Sequence, residues 1–557
     1  MRRRAGLPAL LLCCALPAAA EWQVAAPDDL AGRISPFLTE HTGRQGARAL
    51  GEEILATEGY FTPQIEIADG DDGLTLKIDP GPRTHIAEVD LAIAGPLDPA
   101  RREALLAGWR LPVGQPFRQA DWNDAKQQVL AELLAVDHAA ARLDDSAATI
   151  DAATQRATLR AHYDAGPRYR YGELRIDGLH RFPPELVARY NRQVRVGRPY
   201  RAEDLHLLAS QLQATPYFAS ARAELDMDAA SIDGDGNATV PVDLRLRERP
   251  GHRAGFGAGF SSNTGARVEA NYQTPNFLNQ AWEFTGGLRL EQKRQTLYGD
   301  VFLPPDASQR RHGFGFAQET SDIEDLRTER HAFGVQSIQQ RGSVEQRLSL
   351  NWQRERRSPD GADSVTSRAL VANATWTWRA VDNPLDPRAG LVVQLSLGGA
   401  ARALFSDANF VRTHGRVQYY LPVGRRDTLA LRGELGRTFA DSRLHVPQDY
   451  LFRTGGTGSV RGYAYQSLGI REGTATVGGR YMAVASAEYT HWLNDDWGVA
   501  AFIDAGDAVD ALADARLAVG YGLGVRWRSP AGPIGADLGY GERERAVQLH
   551  FSLAIPF

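Results

Sequence analysis

One arginine and two carboxylates are the residues of this chain whose types and spacing could do chemistry together. Arg461 sits in a glycine-rich run, Gly455-Gly456-Thr457-Gly458-Ser459-Val460-Arg461-Gly462-Tyr463. Downstream lie Glu488, in Ala485-Ser486-Ala487-Glu488-Tyr489, and Asp504, in Phe502-Ile503-Asp504-Ala505-Gly506. A guanidinium makes planar, bidentate contacts to carboxylates, which suits it to locking a loop in place. The same three groups contain no nucleophile, and a carboxylate committed to an arginine is not a base free to act. The chemistry they predict is that of a latch.

Other catalytic signatures are missing from the sequence. There is no Gly-x-x-x-x-Gly-Lys-Ser/Thr loop, no His-Glu-x-x-His pair and no Gly-x-Ser-x-Gly elbow. The Gly522-Leu523-Gly524 run opens no helix, so a nucleotide-binding reading fails. The 13 histidines are scattered, and His491 beside Trp492 suits a membrane interface. Asp233-Gly234-Asp235-Gly236-Asn237 has the look of a calcium loop. It carries Ala238 where such a loop needs glycine and Leu244 where it needs glutamate, so it reads as a hairpin turn. The expectation is a protein without catalytic residues, metal or cofactor.

Composition narrows the partners. Met1-Arg2-Arg3-Arg4, the apolar run behind it and Ala18-Ala19-Ala20 read as a secretory signal peptide over residues 1–20. Losing its three arginines takes the formal charge from −5 to −8, which argues against nucleic acid as a partner. Both cysteines, Cys13 and Cys14, fall inside that leader, and Leu12 sits where a lipoprotein signal needs a small residue. Disulfides and thiol catalysis are therefore not expected in the mature chain. No stretch approaches about 18 consecutive apolar residues, so no helical membrane span is predicted. A mean hydropathy of −0.36 is compatible with a transmembrane barrel, whose strands alternate lipid-facing and lumen-facing residues.

The elements that would position the latch are strands. Residues two apart in a strand share a face, so Ser486 lies with Glu488, and Phe502 and Gly506 lie with Asp504. The alternation recurs through the C-terminal half. Trp282, Phe284, Gly286, Leu288 and Leu290 share one parity. At the chain end Val547, Leu549, Phe551, Leu553, Ile555 and Phe557 face one way, with Gln548, His550 and Ser552 opposite. Ala254-Gly255-Phe256-Gly257-Ala258-Gly259-Phe260 has glycine at every second position, which weakens a strand by removing packing and adding unfolded-state entropy.

The N-terminal half repeats. Val113-Gly114-Gln115-Pro116-Phe117 recurs as Val196-Gly197-Arg198-Pro199-Tyr200, and Ile93-Ala94-Gly95 as Ile176-Asp177-Gly178, each shifted by 83. Gly81-Pro82-Arg83, Gly166-Pro167-Arg168 and Gly251-His252-Arg253 follow one another at intervals of 85. Such a period signals duplicated domains. In the last copy, a strand over Tyr171–Ile176 leads into helices around Leu186-Val187-Tyr190 and over Tyr200–Leu212. Strands over Ala221–Met227 and Thr239–Leu246 close the unit.

That strand-helix-helix-strand-strand order resembles the polypeptide-transport-associated (POTRA) domain. Ser459-Val460-Arg461-Gly462-Tyr463, Val477-Gly478-Gly479, Ala483 to Tyr489 and Phe502-x-Asp504-x-Gly506 resemble, in order, the BamA/TamA superfamily of outer-membrane assembly barrels. Asp382-Asn383-Pro384-Leu385-Asp386-Pro387-Arg388-Ala389-Gly390 and Gly522 to Arg526 add to the likeness.

The resemblance implies α+β POTRA domains followed by a transmembrane antiparallel β-barrel of 16 strands, at about 19 residues per strand and connection. The expected domains are 21–85, 86–168 and 169–249, then a barrel over 250–557. It implies that Arg461 bonds inside the barrel to Glu488 and Asp504. In such a barrel the glycine-rich first strand puts a weak lateral seam, marked by Phe256, Gly257, Gly259 and Phe557, where the first strand meets the last; the alternative is that these glycines only make room inside a crowded lumen. Three POTRA domains are the TamA-type count. That type implies an outer-membrane insertase or translocase for autotransporter or other β-barrel clients, working without cofactor in the lipid bilayer beside a TamB-like, inner-membrane-anchored partner. The alternatives are a two-partner secretion transporter exporting a β-helical protein and a passive outer-membrane channel. Three repeats, and no polar plug segment before Trp22, weigh against the first; the repeats and the latch weigh against the second.

Overall fold

The computed structural model describes residues 21–553 apart from residue 40, residues 71–72 and residues 530–531. The expected leader, with Cys13 and Cys14, and the terminal Phe557 lie outside the described residues. The chain forms two compact units. One comprises Met1–Asp177, Asn191–Gln211 and Ala221–Leu246; the other comprises Gly178–Tyr190, Leu212–Ser220 and Arg247–Phe557.

The first unit is built on a repeated plan. Strand Glu21–Ala25 pairs parallel with Gly73–Asp79, which pairs antiparallel with Gln64–Gly70. Strand His85–Ala94 pairs parallel with Arg156–Asp164, which pairs antiparallel with Arg142–Asp151. The third sheet has the order Arg168–Asp177, Asn237–Glu248, Phe218–Leu225. Helices cover one face of each of the first two sheets. Helix Gln119–Ala135 buries Trp122, Ala125, Val129 and Leu133, spaced three and four apart on one stripe, against Ile86, Leu159 and Tyr163. Helix Pro99–Ala107 begins with Pro at its first position, and the Asp98 carboxylate accepts from the Ala100 and Arg101 amides.

Successive repeats join through one recurring device. The turn after the second helix of a repeat hydrogen-bonds two loops of the next. The Thr84 amide donates to Gly59 O (2.8 Å), and Gly59 holds φ +93° where a Cβ would meet Phe117 O at 2.2 Å. One repeat later the Asp137 amide donates to Tyr200 O, and the Tyr169 amide to Asp137 O. His138, beside this joint, is almost fully buried. Burial, helped by the nearby Arg101 cation, lowers its pKa from the ordinary histidine value.

In the second unit the equivalent turn meets the barrel. The Tyr217 hydroxyl donates to Ala281 O (2.9 Å) in the turn between the second and third barrel strands. Its ring packs edge-on to Phe182 at 5.1 Å. The Arg181 guanidinium binds Glu248 (2.8 Å), and Arg189 donates to Pro305 O (3.2 Å) in the next turn along.

Sixteen strands follow in one sheet, each paired antiparallel with its sequence neighbour. The first two are Arg253–Ser261 and Gly265–Phe277; the eleventh to sixteenth are Asp427–Ala440, Tyr481–Trp492, Trp497–Val509, Ala518–Ser529, Gly532–Gly541 and Ala546–Leu553. Parity sorts the side chains as in a membrane barrel. In the fourteenth strand Tyr521, Leu523, Val525 and Trp527 are exposed outward while Arg526 is buried inside. No helix among the described residues is long and apolar enough to cross a membrane.

The longest connection, residues 441–480 between the eleventh and twelfth strands, folds inward. Phe452, Val460, Tyr463 and Leu468 form a core with Met482, Val484, Ala508 and Ala518 of the wall. A small hairpin within it, Ile470–Glu472 with Ala475–Val477, reaches the opposite wall. There the Thr474 and Thr476 amides donate to Asp360 O and Glu324 O, each at 3.0 Å, and Arg357 binds Glu472 at 2.6 Å. The connection therefore braces the bore from side to side.

Candidate functional site

Arg461 lies at the innermost bend of this connection, only 6% exposed. Its Nε donates to Asp504 Oδ2 (2.8 Å) and its Nη2 to Asp504 Oδ1 (3.1 Å), a bidentate pair with the thirteenth strand. The Arg461 backbone amide donates to Oδ2 as well (3.0 Å). Nη1 donates to Glu488 Oε2 on the twelfth strand (2.5 Å), and the guanidinium lies 3.5 Å from the Phe502 ring centre. Ser486, predicted on the face of Glu488, donates its hydroxyl to Asp504 Oδ1 (2.6 Å). The structure thus brings Arg461, Glu488, Asp504 and Phe502 together.

Two further members were not foreseen as ligands. Arg526, on the fourteenth strand, donates through Nε to Glu488 Oε1 (3.1 Å) and through Nη1 to Asp537 Oδ1 (2.6 Å). Asp537, on the fifteenth strand and almost fully buried, also accepts from Arg461 Nη1 (3.3 Å). Two arginines and three carboxylates so form one network across four adjacent strands. A signal existed in the sequence: the lumen-facing parity of the fifteenth strand is Gly535, Asp537, Gly539, Gly541, one acid among glycines.

Those glycines admit the loop. Gly462 runs at φ +89°, and a Cβ on it would meet the Gly541 amide nitrogen at 2.7 Å. Conversely, a Cβ on Gly520 would lie 1.8 Å from Arg461 O, and one on Gly539 2.7 Å from Gly462 N. Backbone packs on backbone here, which only glycine allows. Val460 is fully buried, with its Cγ2 2.9 Å from where a Cβ of Gly506 would stand. The Tyr463 hydroxyl donates to Val519 O (2.9 Å) and accepts from the Arg543 amide (3.0 Å). Gly455 and Gly456 form the bend leading in, where the Gly456 amide donates to Val460 O (3.1 Å). Arg432 of the eleventh strand donates to Gly458 O (2.8 Å) and Ser459 O (2.5 Å).

The other predicted site lies at the edges of the sheet. The first strand pairs with the second along its length, from Arg253↔Gln273 to Ser261↔Gly265. Among the described residues no ladder joins it to the sixteenth strand. Phe256 points outward, 87% exposed. Gly257 and Gly259 face the other way, toward the side chains of Glu269 and Arg267, so the glycines make room for charged groups of the neighbouring strand. Phe260 meets Phe551 edge-on at 6.4 Å. This site and the latch are joined to no metal cluster: no group of three metal-ligating side chains occurs among the described residues.

Residues 250–557, the whole barrel, match the Omp85 superfamily domain. The chain belongs to the Omp85 superfamily. This Omp85 barrel spans the outer membrane, with POTRA domains in the periplasm.

Among curated relatives it is similar to the outer membrane protein assembly factor BamA of Neisseria meningitidis serogroup B, 23% identical over 354 residues, 57% of this chain and 43% of that one. It is likewise similar to BamA of Nitratidesulfovibrio vulgaris, 28% identical over 178 residues, 30% of this chain and 22% of that one. The matches therefore span less than half the length of these relatives. Among solved structures, BamA from Haemophilus ducreyi lacking POTRA domains 1–3 shares the fold at a TM-score of 0.72 and 18% identity, covering 84% of this Omp85 chain and 99% of that chain.

Proposed function

We propose that this protein is an outer-membrane insertase or translocase of the TamA type, which helps autotransporter or other β-barrel clients enter the membrane. The observation that carries the reading is the seam. The first strand has its neighbour on one side, while its other edge meets the sixteenth strand without a ladder among the described residues. An open edge offers unpaired amides and carbonyls to an incoming strand. The repeated periplasmic domains supply further edge strands on which an extended client could dock. Three such repeats support the TamA type and, with it, a TamB-like partner in the periplasm. The latch holds the loop within the bore and does no bond chemistry. A bore braced from wall to wall by residues 441–480 weighs against a passive channel.

The test is a lock across the seam. Cysteines replace Phe260 and Phe551 in a chain whose Cys13 and Cys14 are serine, and the protein is reconstituted in liposomes with an unfolded β-barrel client. Oxidation should stop client folding, read as protease protection, and reduction should restore it. Folding that proceeds equally well with the seam locked contradicts the reading.

A further inference from the structure

The seam is crossed by side chains that belong to neither a ladder nor the charged network. The Phe551 amide of the sixteenth strand donates to Ser262 Oγ (3.1 Å), in the hairpin after the first strand. Thr457, at the tip of the inward loop, has its hydroxyl 3.2 Å from Ser262 Oγ and donates it to Asn263 Oδ1 at 3.3 Å. The same hydroxyl lies 3.4 Å from His550 Nδ1. The Gly462 amide, next to the latch arginine, donates to His550 Nε2 (2.9 Å). His550 is 3% exposed and sits opposite Asp537 in the ladder of the last two strands.

One assignment of hydrogens satisfies all these contacts. Nε2 accepts from Gly462, so the proton of a neutral imidazole is on Nδ1, which donates to Thr457 Oγ1. Thr457 donates to Asn263 and also accepts from Ser262, whose oxygen accepts from Phe551. The hydrogen bonds run from the first hairpin through the loop tip to the last strand.

We propose that the loop tip is a clasp on the seam, and that His550 is the positioning residue through which it holds the last strand. The clasp rests on the lateral reading of the seam given above. It couples the two sites: Gly462 is fixed by Arg461, so the network that seats the loop also seats the last strand against the first. Only neutral His550 can accept from Gly462. A second proton turns Nε2 into a donor facing a donor, and the bond is lost. The charged groups around the ring are Arg461 on the loop, Asp504 on the thirteenth strand and Asp537 on the fifteenth. Both carboxylates are held by Arg461, and Asp537 also by Arg526.

The experiment places spin labels at Ala258 and Leu549, outward-facing on the first and last strands, in the full chain with Cys13 and Cys14 changed to serine. Distances are read by pulsed electron resonance in lipid bilayers. The unaltered clasp should give one short distance near pH 7.5. Thr457→Val and His550→Ala should add a population longer by about 5 Å or more, one strand spacing. His550→Gln, whose amide oxygen can still accept from Gly462, should restore the short distance.

The clasp is overturned if Thr457→Val and His550→Ala leave the short distance intact, or if glutamine fails to rescue. A seam that lengthens with client bound yet ignores His550 defeats the clasp alone. A seam that stays short in every variant while client folds defeats the lateral reading beneath it.

Discussion

Asp504 accepts three hydrogen bonds from one residue, Arg461: from Nε, from Nη2 and from the backbone amide. The third fixes the main chain of the loop as well as its side chain. With Ser486 as a fourth donor, a carboxylate that is fully buried is satisfied on both oxygens.

Arg461→Ala leaves that carboxylate buried with a single side-chain donor, a loss of roughly 3–5 kcal/mol when a buried pair is broken from one side. The loop of residues 441–480 is expected to leave the bore. Limited proteolysis of the folded barrel in detergent checks this: new cuts within 441–480 should appear, and Arg461→Lys should not prevent them, because an ammonium cannot reproduce the fork. Unchanged protection would contradict it.

Gly520→Ala and Gly539→Ala keep every charge of the site but place a methyl group within 1.8 and 2.7 Å of the loop backbone. Each should expose residues 441–480 to protease much as Arg461→Ala does. Gly433→Ala on the eleventh strand, where a Cβ meets nothing within 4 Å, should behave as the parent chain. Equal protection in all three would mean the loop can shift to make room.

The three carboxylates are not equivalent. Asp537→Asn leaves two arginines facing two carboxylates, keeps an oxygen for Arg526, and sets its amide N–H only against the single long contact from Arg461 Nη1 (3.3 Å). Asp504→Asn puts an amide N–H group where Arg461 needs an acceptor, a mismatch of about 1–3 kcal/mol beyond the lost charge. Thermal unfolding should therefore fall further for Asp504→Asn than for Asp537→Asn. The opposite order would show that Arg526 and Asp537 carry the network.

His138 makes the first unit sensitive to acid. Its folded pKa lies below the ordinary value because burial disfavours the charged ring. The folded state therefore binds fewer protons than the unfolded chain. Stability is complete above about pH 6.5 and falls as the pH drops from there through the lowered folded value. Melting of the full chain should show an early transition that moves to lower temperature on acidification, and His138→Leu should flatten that dependence. The same slope in both chains would assign it elsewhere.

Much of this architecture was legible because it rests on periods. Alternation marked the outward face of the last strand through Val547, Leu549 and Phe551, and the repeat of about 83 residues marked successive copies of one plan. Arg461 stood out because a charged residue within glycines needs a partner. Asp537 left a local trace as one acid among lumen-facing glycines, but its partnership with Arg526 depends on which strands stand side by side around the loop, which no local pattern states. His550 was visible only as the polar face of a strand. Its meaning comes from Gly462, 88 residues away in sequence and brought to it by the fold of the loop.

The central claim is that the first strand receives clients at the seam. A photo-crosslinking residue at Phe256, exposed outward on that strand, tests it in growing cells. The account predicts adducts with many nascent outer-membrane β proteins. Adducts with one large secreted protein, or with no client at all, would contradict it.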